Sequence, residues 1–287
     1  MTRIGHSLTV LGVTLAIAQT ACAADQLQGS LQIKGSDTMV NLVQAWAEDF
    51  MAKHPNVTVA VTGGGTGTGI AALIAGTCDL AVASRKMSPK EIAAATAKGN
   101  TPKEFTTALD GLAVVVHPGN SVKKLTLAQL AELFTGGITN WKSLGGSDAQ
   151  VVLLSREVNS GTHVYFKEHV LGKGPAGKDL EFAADALLLP SSQAIADEVA
   201  TNRAAVGYYG MGYVNPKNAV VAVAKSADGP YIMPSEGTVR AGTYPISRPL
   251  FLYSRREPQG LVKAFIDYVE SADGQTIVRK IDFVPIK

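Results

Sequence analysis

Apolar and polar residues alternate along the chain in short blocks that predict strands and helices in turn. The strand-like "LQIKGS" precedes "TMVNLVQAWAEDFMAKHP", where apolar residues recur every three or four positions before Pro55, so this segment predicts an amphipathic helix. The segments "VTVAVT" and "CDLAVAS" predict strands on either side of a glycine-rich turn and a short helix. Ser88 and Pro89 then predict the cap and the first position of another helix. This rhythm favours a mostly parallel sheet with helices on both faces.

The same rhythm restarts after the apolar strand "DGLAVVVHPGN", which ends in a Pro-Gly turn signal. Helices are predicted at "TLAQLAELFTG", "GTHVYFKEHVLG" and "SSQAIADEVATN", with strands at "AQVVLLS" and "AAVGYYGMGYV". Residues 225–243 are rich in Gly, Pro and Ser and predict a loop, and "YPISRPLFLYSR" predicts a last strand before the closing helices. We therefore predict an α/β fold of two lobes, residues 24–117 plus 243–287 and residues 118–242. Pairing of the strands at 244–253 and 111–117 would connect the lobes.

The N-terminal segment differs in kind from the rest of the chain. A basic start at Arg3 is followed by an apolar stretch from Leu8 to Ala18 and then by small residues around Ala23. The apolar stretch is shorter than the roughly 20 residues that a membrane-spanning helix needs. The pattern therefore predicts a secretory signal peptide at residues 1–23 that is removed on export. A lipoprotein acylated on Cys22 is the alternative, but the residues just before this cysteine fit it poorly.

Composition and charge narrow the class of protein. Lys and Arg number 26 against 24 for Asp and Glu, a net charge of +2, and no long basic run is present. A nucleic-acid partner is therefore not expected, because such proteins carry a clustered basic excess. Once the signal peptide is removed, Cys78 is the one cysteine left, which leaves neither an internal disulfide nor a cysteine-based metal site.

Three segments rich in hydroxyl groups and glycine share one topological position, directly after a strand and directly before a helix. They are Gly35–Thr38, Gly63–Gly69 and Ser160–Thr162, the last with Arg156 nearby. The carboxyl ends of parallel strands line one crevice, and a helix start offers free N–H groups to an anion. Each segment alone is also explained as a helix cap, but together they predict an anion pocket.

Cofactor and enzyme motifs are missing. The glycine run fits neither the dinucleotide fingerprint nor the Walker pattern, so no nucleotide cofactor is expected. No nucleophile elbow and no H-E-x-x-H occurs, and the histidines are scattered rather than set at metal-ligand spacing. We therefore predict no cofactor, no metal and no enzymatic activity, although paired carboxylates for glycoside chemistry are not excluded by sequence.

The segments "GSDTMVNLVQAWAEDF", "VTGGGTGTGIAALIAGTCDLAVASR" and "SREVNSGTHVYFKEHVL", in this order after a signal peptide, resemble the periplasmic phosphate-binding proteins of ABC transporters. The resemblance covers nearly the whole mature chain. It implies a two-lobed type 2 periplasmic binding fold, with phosphate in the cleft between the lobes and delivery to a membrane permease. It also implies a periplasmic protein, which we expect to be a monomer. The ligand donors that it implies are Ser36, Thr38, Thr66, Arg156, Ser160, Gly161 and Thr162.

One position departs from this family. Some members have an aspartate after the "DLAVAS" strand that accepts the proton of hydrogen phosphate, whereas this chain has Ser84 followed by Arg85. We include Ser84 in the predicted site and take Asp37 as the candidate acid, with a plain helix cap as the alternative for Asp37. Arg85 is predicted either to face the ligand or to pair with a surface acid. Other functions left open are the binding of sulfate, molybdate or tungstate, hydrolysis of phosphate esters, and an adhesin or sensor.

Overall fold

The computed structural model describes residues 27–174 and 177–287. The predicted signal peptide at 1–23 and the alternative anchor Cys22 lie outside the described residues. Within the described ranges, none of the helices combines the length and the apolar character needed to cross a membrane.

Strands and helices alternate through most of the chain, as the hydrophobic pattern predicts. The strands are β1 Gly29–Gly35, β2 Val57–Thr62, β3 Leu80–Ala83, β4 Lys103–Val116, β5 Lys124–Thr126, β6 Val152–Arg156, β7 Leu187–Leu189, β8 Ala205–Gly210, β9 Ala219–Ala224 and β10 Ser247–Ser254. The helices are α1 Val40–Lys53, α2 Thr66–Ala75, α3 Pro89–Ala97, α4 Leu127–Phe134, α5 Gly161–Phe166, α6 Ser192–Thr201, α7 Glu236–Arg240, α8 Gly260–Glu270 and α9 Ala272–Lys280. A π-helical turn, Lys167–Leu171, extends α5.

Local sequence signals explain where several helices begin and end. Helix α1 ends at Lys53, before Pro55, as predicted. Ser88 caps α3 by accepting a hydrogen bond from the Glu91 N–H, and Pro89 occupies the first turn. The predicted loop at 225–243 is wrong in part, because a capping box opened by Ser235 starts the short helix α7 inside it.

The described residues form one curled ten-stranded sheet in the order β2-β1-β3-β10-β4-β8-β6-β7, with β9 paired to β4 and β5 paired to β9. At one end β1, β2 and β3 are parallel, and at the other β6 is parallel to both β7 and β8. Between them β10 runs antiparallel to β3 and β4, and β4 runs antiparallel to β8 and β9. The sheet is therefore more mixed than the mostly parallel sheet that the sequence predicts. Strand β4 leads the chain out of the first half, β10 returns it, and both run antiparallel to their neighbours.

Strand β4 changes its partner half-way along. Residues 103–111 pair with β10, in a register that joins Ser247 to Gly111 and Ser254 to Lys103. Residues 112–116 pair instead with β8 and β9. Strand β10 thus pairs with residues 103–111 of β4, the half that precedes the predicted partner 111–117. The lobe boundaries near 117 and 242 remain a prediction.

Two large hydrophobic clusters lie on either side of this crossover. One surrounds Trp46 and Phe50 of α1 and includes side chains of α8 and β1. The other surrounds Trp141 and Phe134 and includes side chains of α4 and β8. Each indole N–H is satisfied inside the protein, by the carbonyl oxygens of Gly274 and Ala204 respectively. The strand ends between the two clusters are therefore held in place from both sides.

Candidate functional site

The three predicted donor segments converge at the carboxyl ends of parallel strands. Ser36 follows β1, Thr66 opens the helix after β2, and Ser84 follows β3. Arg156 is the last residue of β6, and Ser160 is the N-cap of α5. All five side chains are buried, and parallel pairing places the ends of β1, β2 and β3 at one edge of the sheet.

Hydroxyl groups from the two halves of the chain meet directly. Thr38 Oγ1 lies 2.7 Å from Thr162 Oγ1, a contact between residues 124 positions apart in sequence. Thr66 Oγ1 accepts a hydrogen bond from the Ser84 N–H at 3.1 Å and lies 3.3 Å from Ser84 Oγ. We call Thr38, Thr66, Ser84 and Thr162 the hydroxyl cluster.

Gly161 lets the second half of the chain approach this cluster. A Cβ atom at Gly161 would lie 2.4 Å from Thr66 Oγ1 and 2.6 Å from Ser84 Oγ, so a side chain does not fit in this arrangement. The neighbouring Ser160 hydroxyl accepts hydrogen bonds from the N–H groups of Thr162 and His163 and so caps α5. Of these two predicted donors, Gly161 contacts the cluster, whereas the Ser160 hydroxyl is engaged within its own helix.

Arg156 is buried, with 1% of its side chain exposed. Its guanidinium donates to the carbonyl oxygens of Leu189 and Pro190 and to the hydroxyl of Ser192. Burial lowers the pKa of Arg156, and the nearby Asp37 carboxylate opposes that shift. These contacts fix the guanidinium firmly against the segment that leads into α6.

Asp37 connects the two halves of the chain. One carboxylate oxygen, Oδ2, accepts from the Ser192 N–H at 2.9 Å and lies 3.1 Å from Arg156 Nη2. Its backbone carbonyl accepts from the Tyr213 hydroxyl. The short 3₁₀ helix Asp37–Met39 has Ser36 at its N-cap and no side-chain cap bond, so the alternative that Asp37 caps its own helix is wrong.

Arg85 forms an ion pair with Glu91. Its two terminal nitrogens each lie 2.8 Å from a carboxylate oxygen of Glu91, in a bidentate pair. Of the two predicted possibilities, pairing with an acid is the observed one.

Two charged residues in this region escaped the sequence reasoning. Arg248 of β10 donates from Nη2 to Thr162 Oγ1 at 2.9 Å and from Nη1 to the Ser84 carbonyl at 3.0 Å. Its Nε and Nη2 also donate to Asp110 Oδ2, at 3.1 and 2.9 Å. Both side chains are essentially unexposed, at 1% for Arg248 and 0% for Asp110. Single charges inside the apolar segments "DGLAVVV" and "YPISRPLFLYS" were the available signal, because an unpaired buried charge is costly.

The electrostatics of the region are balanced. Two guanidinium groups, Arg156 and Arg248, face two carboxylates, Asp37 and Asp110, so these four side chains carry no formal net charge when ionised. Burial raises the pKa of Asp110 above its ordinary value, and the ion pair with Arg248 and a hydrogen bond from the Met211 N–H oppose this shift. The arrangement offers several hydroxyl donors, two buried cations, one buried acid and one partly exposed acid, which suits a protonated oxyanion of tetrahedral shape.

Comparison with known proteins gives consistent matches over most of the chain. A sequence model of the PBP superfamily domain matches residues 20–273. The phosphate-binding protein PstS of Pseudomonas aeruginosa is 33% identical over 280 residues, which cover 92% of this chain and 85% of that protein. PstS of Bacillus subtilis is 32% identical, with 94% and 85% covered.

Solved structures agree with these sequence matches. A crystal structure from Clostridium perfringens, described as a phosphate ABC transporter substrate-binding protein with bound phosphate, superposes with a TM-score of 0.81. It is 33% identical in sequence, and the alignment covers 90% of this chain and all of that chain. The names of these relatives describe phosphate-binding and substrate-binding proteins.

Proposed function

We propose that buried hydroxyl groups from both halves of this chain hold a phosphate ion. The chain belongs to the PBP superfamily and is a PstS-like phosphate-binding protein that captures phosphate for an ABC transporter. The observation that carries the proposal is the contact of Thr38 and Thr162 across the two halves of the chain, inside a buried cluster of hydroxyl groups. Hydroxyls that meet one another in this way can instead donate to the four oxygens of a phosphate ion.

The proposed ligand groups come from both halves of the chain. They are Ser36, Asp37, Thr38, Thr66, Ser84, Arg156, Ser160, Gly161 and Thr162, with Arg248 added from the structure. Phosphate would replace the direct contacts within the hydroxyl cluster and gain charge-assisted hydrogen bonds from the arginines. Two arginines and two aspartates of this region balance each other in charge. We expect such a site to favour an ion that can donate a proton to a buried acid.

The proposed lobes are residues 24–117 plus 243–287 and residues 118–242. The change of partners along β4 supports a division into two lobes, because residues 103–111 pair with β10 and residues 112–116 pair with β8 and β9. This change lies at residues 111–112, before the proposed boundary at 117. Phosphate would favour the arrangement in which the lobes are in contact, since donors from both lobes reach it only there. A permease that recognises this arrangement would select the loaded protein.

We further propose a monomeric periplasmic protein without enzymatic activity. The signal-like segment at the N-terminus supports export. The hydroxyl groups of the cluster contact other hydroxyls, backbone and Arg248 rather than a general base, so none of these four hydroxyls is arranged as an activated nucleophile.

Calorimetric titration of the purified protein with phosphate, sulfate and molybdate tests the proposal. We expect phosphate to bind with a Kd on the order of 1 μM or tighter, and sulfate to bind far more weakly. Equal affinities for the three ions would contradict a phosphate-specific site. Release of nitrophenol from p-nitrophenyl phosphate would contradict the proposed absence of hydrolase activity.

A further inference from the structure

A second connection between the two halves of the chain lies beside the hydroxyl cluster, at the glycine run. Asn159, in the loop before α5, reaches across to residues that follow β2. Its backbone carbonyl accepts from the Gly67 N–H at 2.9 Å. Its side-chain amide donates to the Gly64 carbonyl at 3.0 Å and lies 3.4 Å from Thr68 Oγ1.

Two N–H groups of the glycine run are therefore engaged within the protein. The Gly65 N–H donates to the Gly35 carbonyl, and the Gly67 N–H donates to Asn159. Close approach also requires glycine here: Cβ atoms at Gly65 and Gly67 would lie 2.8 and 3.3 Å from the Asn159 carbonyl oxygen. The glycine run thus provides a docking surface for Asn159, in addition to providing Thr66 of the hydroxyl cluster.

We propose that Asn159 is a positioning residue that latches the lobes together and sets how long phosphate stays bound. The inference rests on the proposed function, but it concerns residues that the hydroxyl cluster does not include. The latch contacts join residues more than 90 positions apart, 64 and 68 on one side and 159 on the other. They exist only while the halves are in contact, so they stabilise the loaded arrangement without touching the cluster's hydroxyls.

Such a latch has a kinetic signature. Phosphate enters before the latch forms, so the association rate should not depend on Asn159. Release requires the latch to open, so its loss should appear in the dissociation rate. Because the side-chain contact consists of one good hydrogen bond and one long one, we expect its loss to accelerate release by roughly 3- to 30-fold.

Two variants remove the latch by different routes. Asn159→Ala deletes the amide that donates to Gly64 but keeps the backbone carbonyl. Gly67→Ala leaves Asn159 intact and crowds its carbonyl, at a helical position without positive φ where alanine favours helix formation. The free Gly67→Ala protein should therefore be as stable as the wild type or more stable, yet release phosphate faster. Gly237→Ala is the matched control, because Gly237 is also a helical glycine but lies far from Asn159, with only Ser235 within 4 Å of an added Cβ.

Phosphate-loaded protein mixed with an excess of a fluorescent phosphate sensor gives the dissociation rate, and calorimetry gives the Kd. We expect faster release and a matching rise in Kd for Asn159→Ala and Gly67→Ala, with Gly237→Ala like the wild type. Unchanged release in both latch variants, with the wild type still binding phosphate, would overturn the latch alone. A wild-type protein that binds no phosphate would overturn the proposed function and the latch with it.

Discussion

Replacing Asp110 by asparagine should raise the affinity for sulfate far more than the affinity for phosphate. The Asp110 carboxylate is wholly buried, and Arg248 Nη2 lies 2.9 Å both from Asp110 Oδ2 and from Thr162 Oγ1. An anion at the hydroxyl cluster would therefore lie close to this acid. An ionised carboxylate repels sulfate, which is fully ionised, whereas hydrogen phosphate can donate its proton to it.

The size of the effect follows from this geometry. Hydrogen phosphate and sulfate both carry two negative charges, so the repulsion from Asp110 acts on both ions. The discrimination comes from the hydrogen bond that only hydrogen phosphate donates to the carboxylate, which contributes about 1.5–3 kcal/mol, or a factor of about 10 to 100 in affinity. Asparagine keeps an oxygen acceptor for a phosphate hydroxyl, so the phosphate affinity should change by less than about tenfold. The phosphate-over-sulfate ratio should thus fall by roughly 10- to 100-fold.

Calorimetric titration with both ions at pH 7 measures this ratio, and Asp37→Asn is the comparison variant. The Asp37 side chain is 17% exposed and already accepts a hydrogen bond from the Ser192 N–H. Removing its charge should therefore lower the affinities for phosphate and sulfate by similar factors. Removing the Asp110 charge leaves Arg248 unpaired, which should lower the free energy of unfolding by about 3–5 kcal/mol without ligand. Denaturation curves with added phosphate confirm that the titrated protein is folded. An unchanged ratio in folded Asp110→Asn protein would refute the reasoning, and a fall in the ratio confined to Asp37→Asn would assign the role to Asp37.

Three further predictions concern single side chains. Arg156→Ala should weaken phosphate binding by at least about 2 kcal/mol in calorimetry, because it removes a buried counter-charge; unchanged affinity would mean that the site lies elsewhere. Burial lowers the pKa of His163 below its ordinary 6.5. As the pH falls, the unfolded chain therefore binds a proton at this residue before the folded protein does, so the free energy of unfolding should decrease below pH 6.5 and become constant at still lower pH. His163→Gln should abolish that slope in denaturant titrations at several pH values, whereas the exposed His169→Gln control should keep it. Burial raises the pKa of Cys78 to about 11, so this thiol should resist a disulfide reagent at pH 8 until denaturant is added; rapid labelling of native protein would contradict the burial.

The elements that the sequence predicts well are those fixed by local signals. The apolar spacing in α1 and the capping box at Ser88 depend on neighbouring residues alone, and both match the structure. The pairing of β10 with residues 103–111 depends on contacts between distant segments, and apolarity alone indicated the wrong half of β4. The mixed character of the sheet follows from that same long-range pairing.

The convergence of the three segments was predictable for a related reason, since strand ends before helices are recognisable in sequence and parallel strands bring them together. Arg248 and Asp110 lie within strands, where the apolar pattern conceals them, although a charge in such a run signals a buried partner. Their positions also bear on Ser84, where the family resemblance led us to expect an acid. The Ser84 carbonyl accepts from the same guanidinium that holds Asp110. Arg248 therefore connects the Asp110 carboxylate of β4 to the end of β3, where Ser84 provides only a hydroxyl. The region thus has a buried acid although position 84 has none.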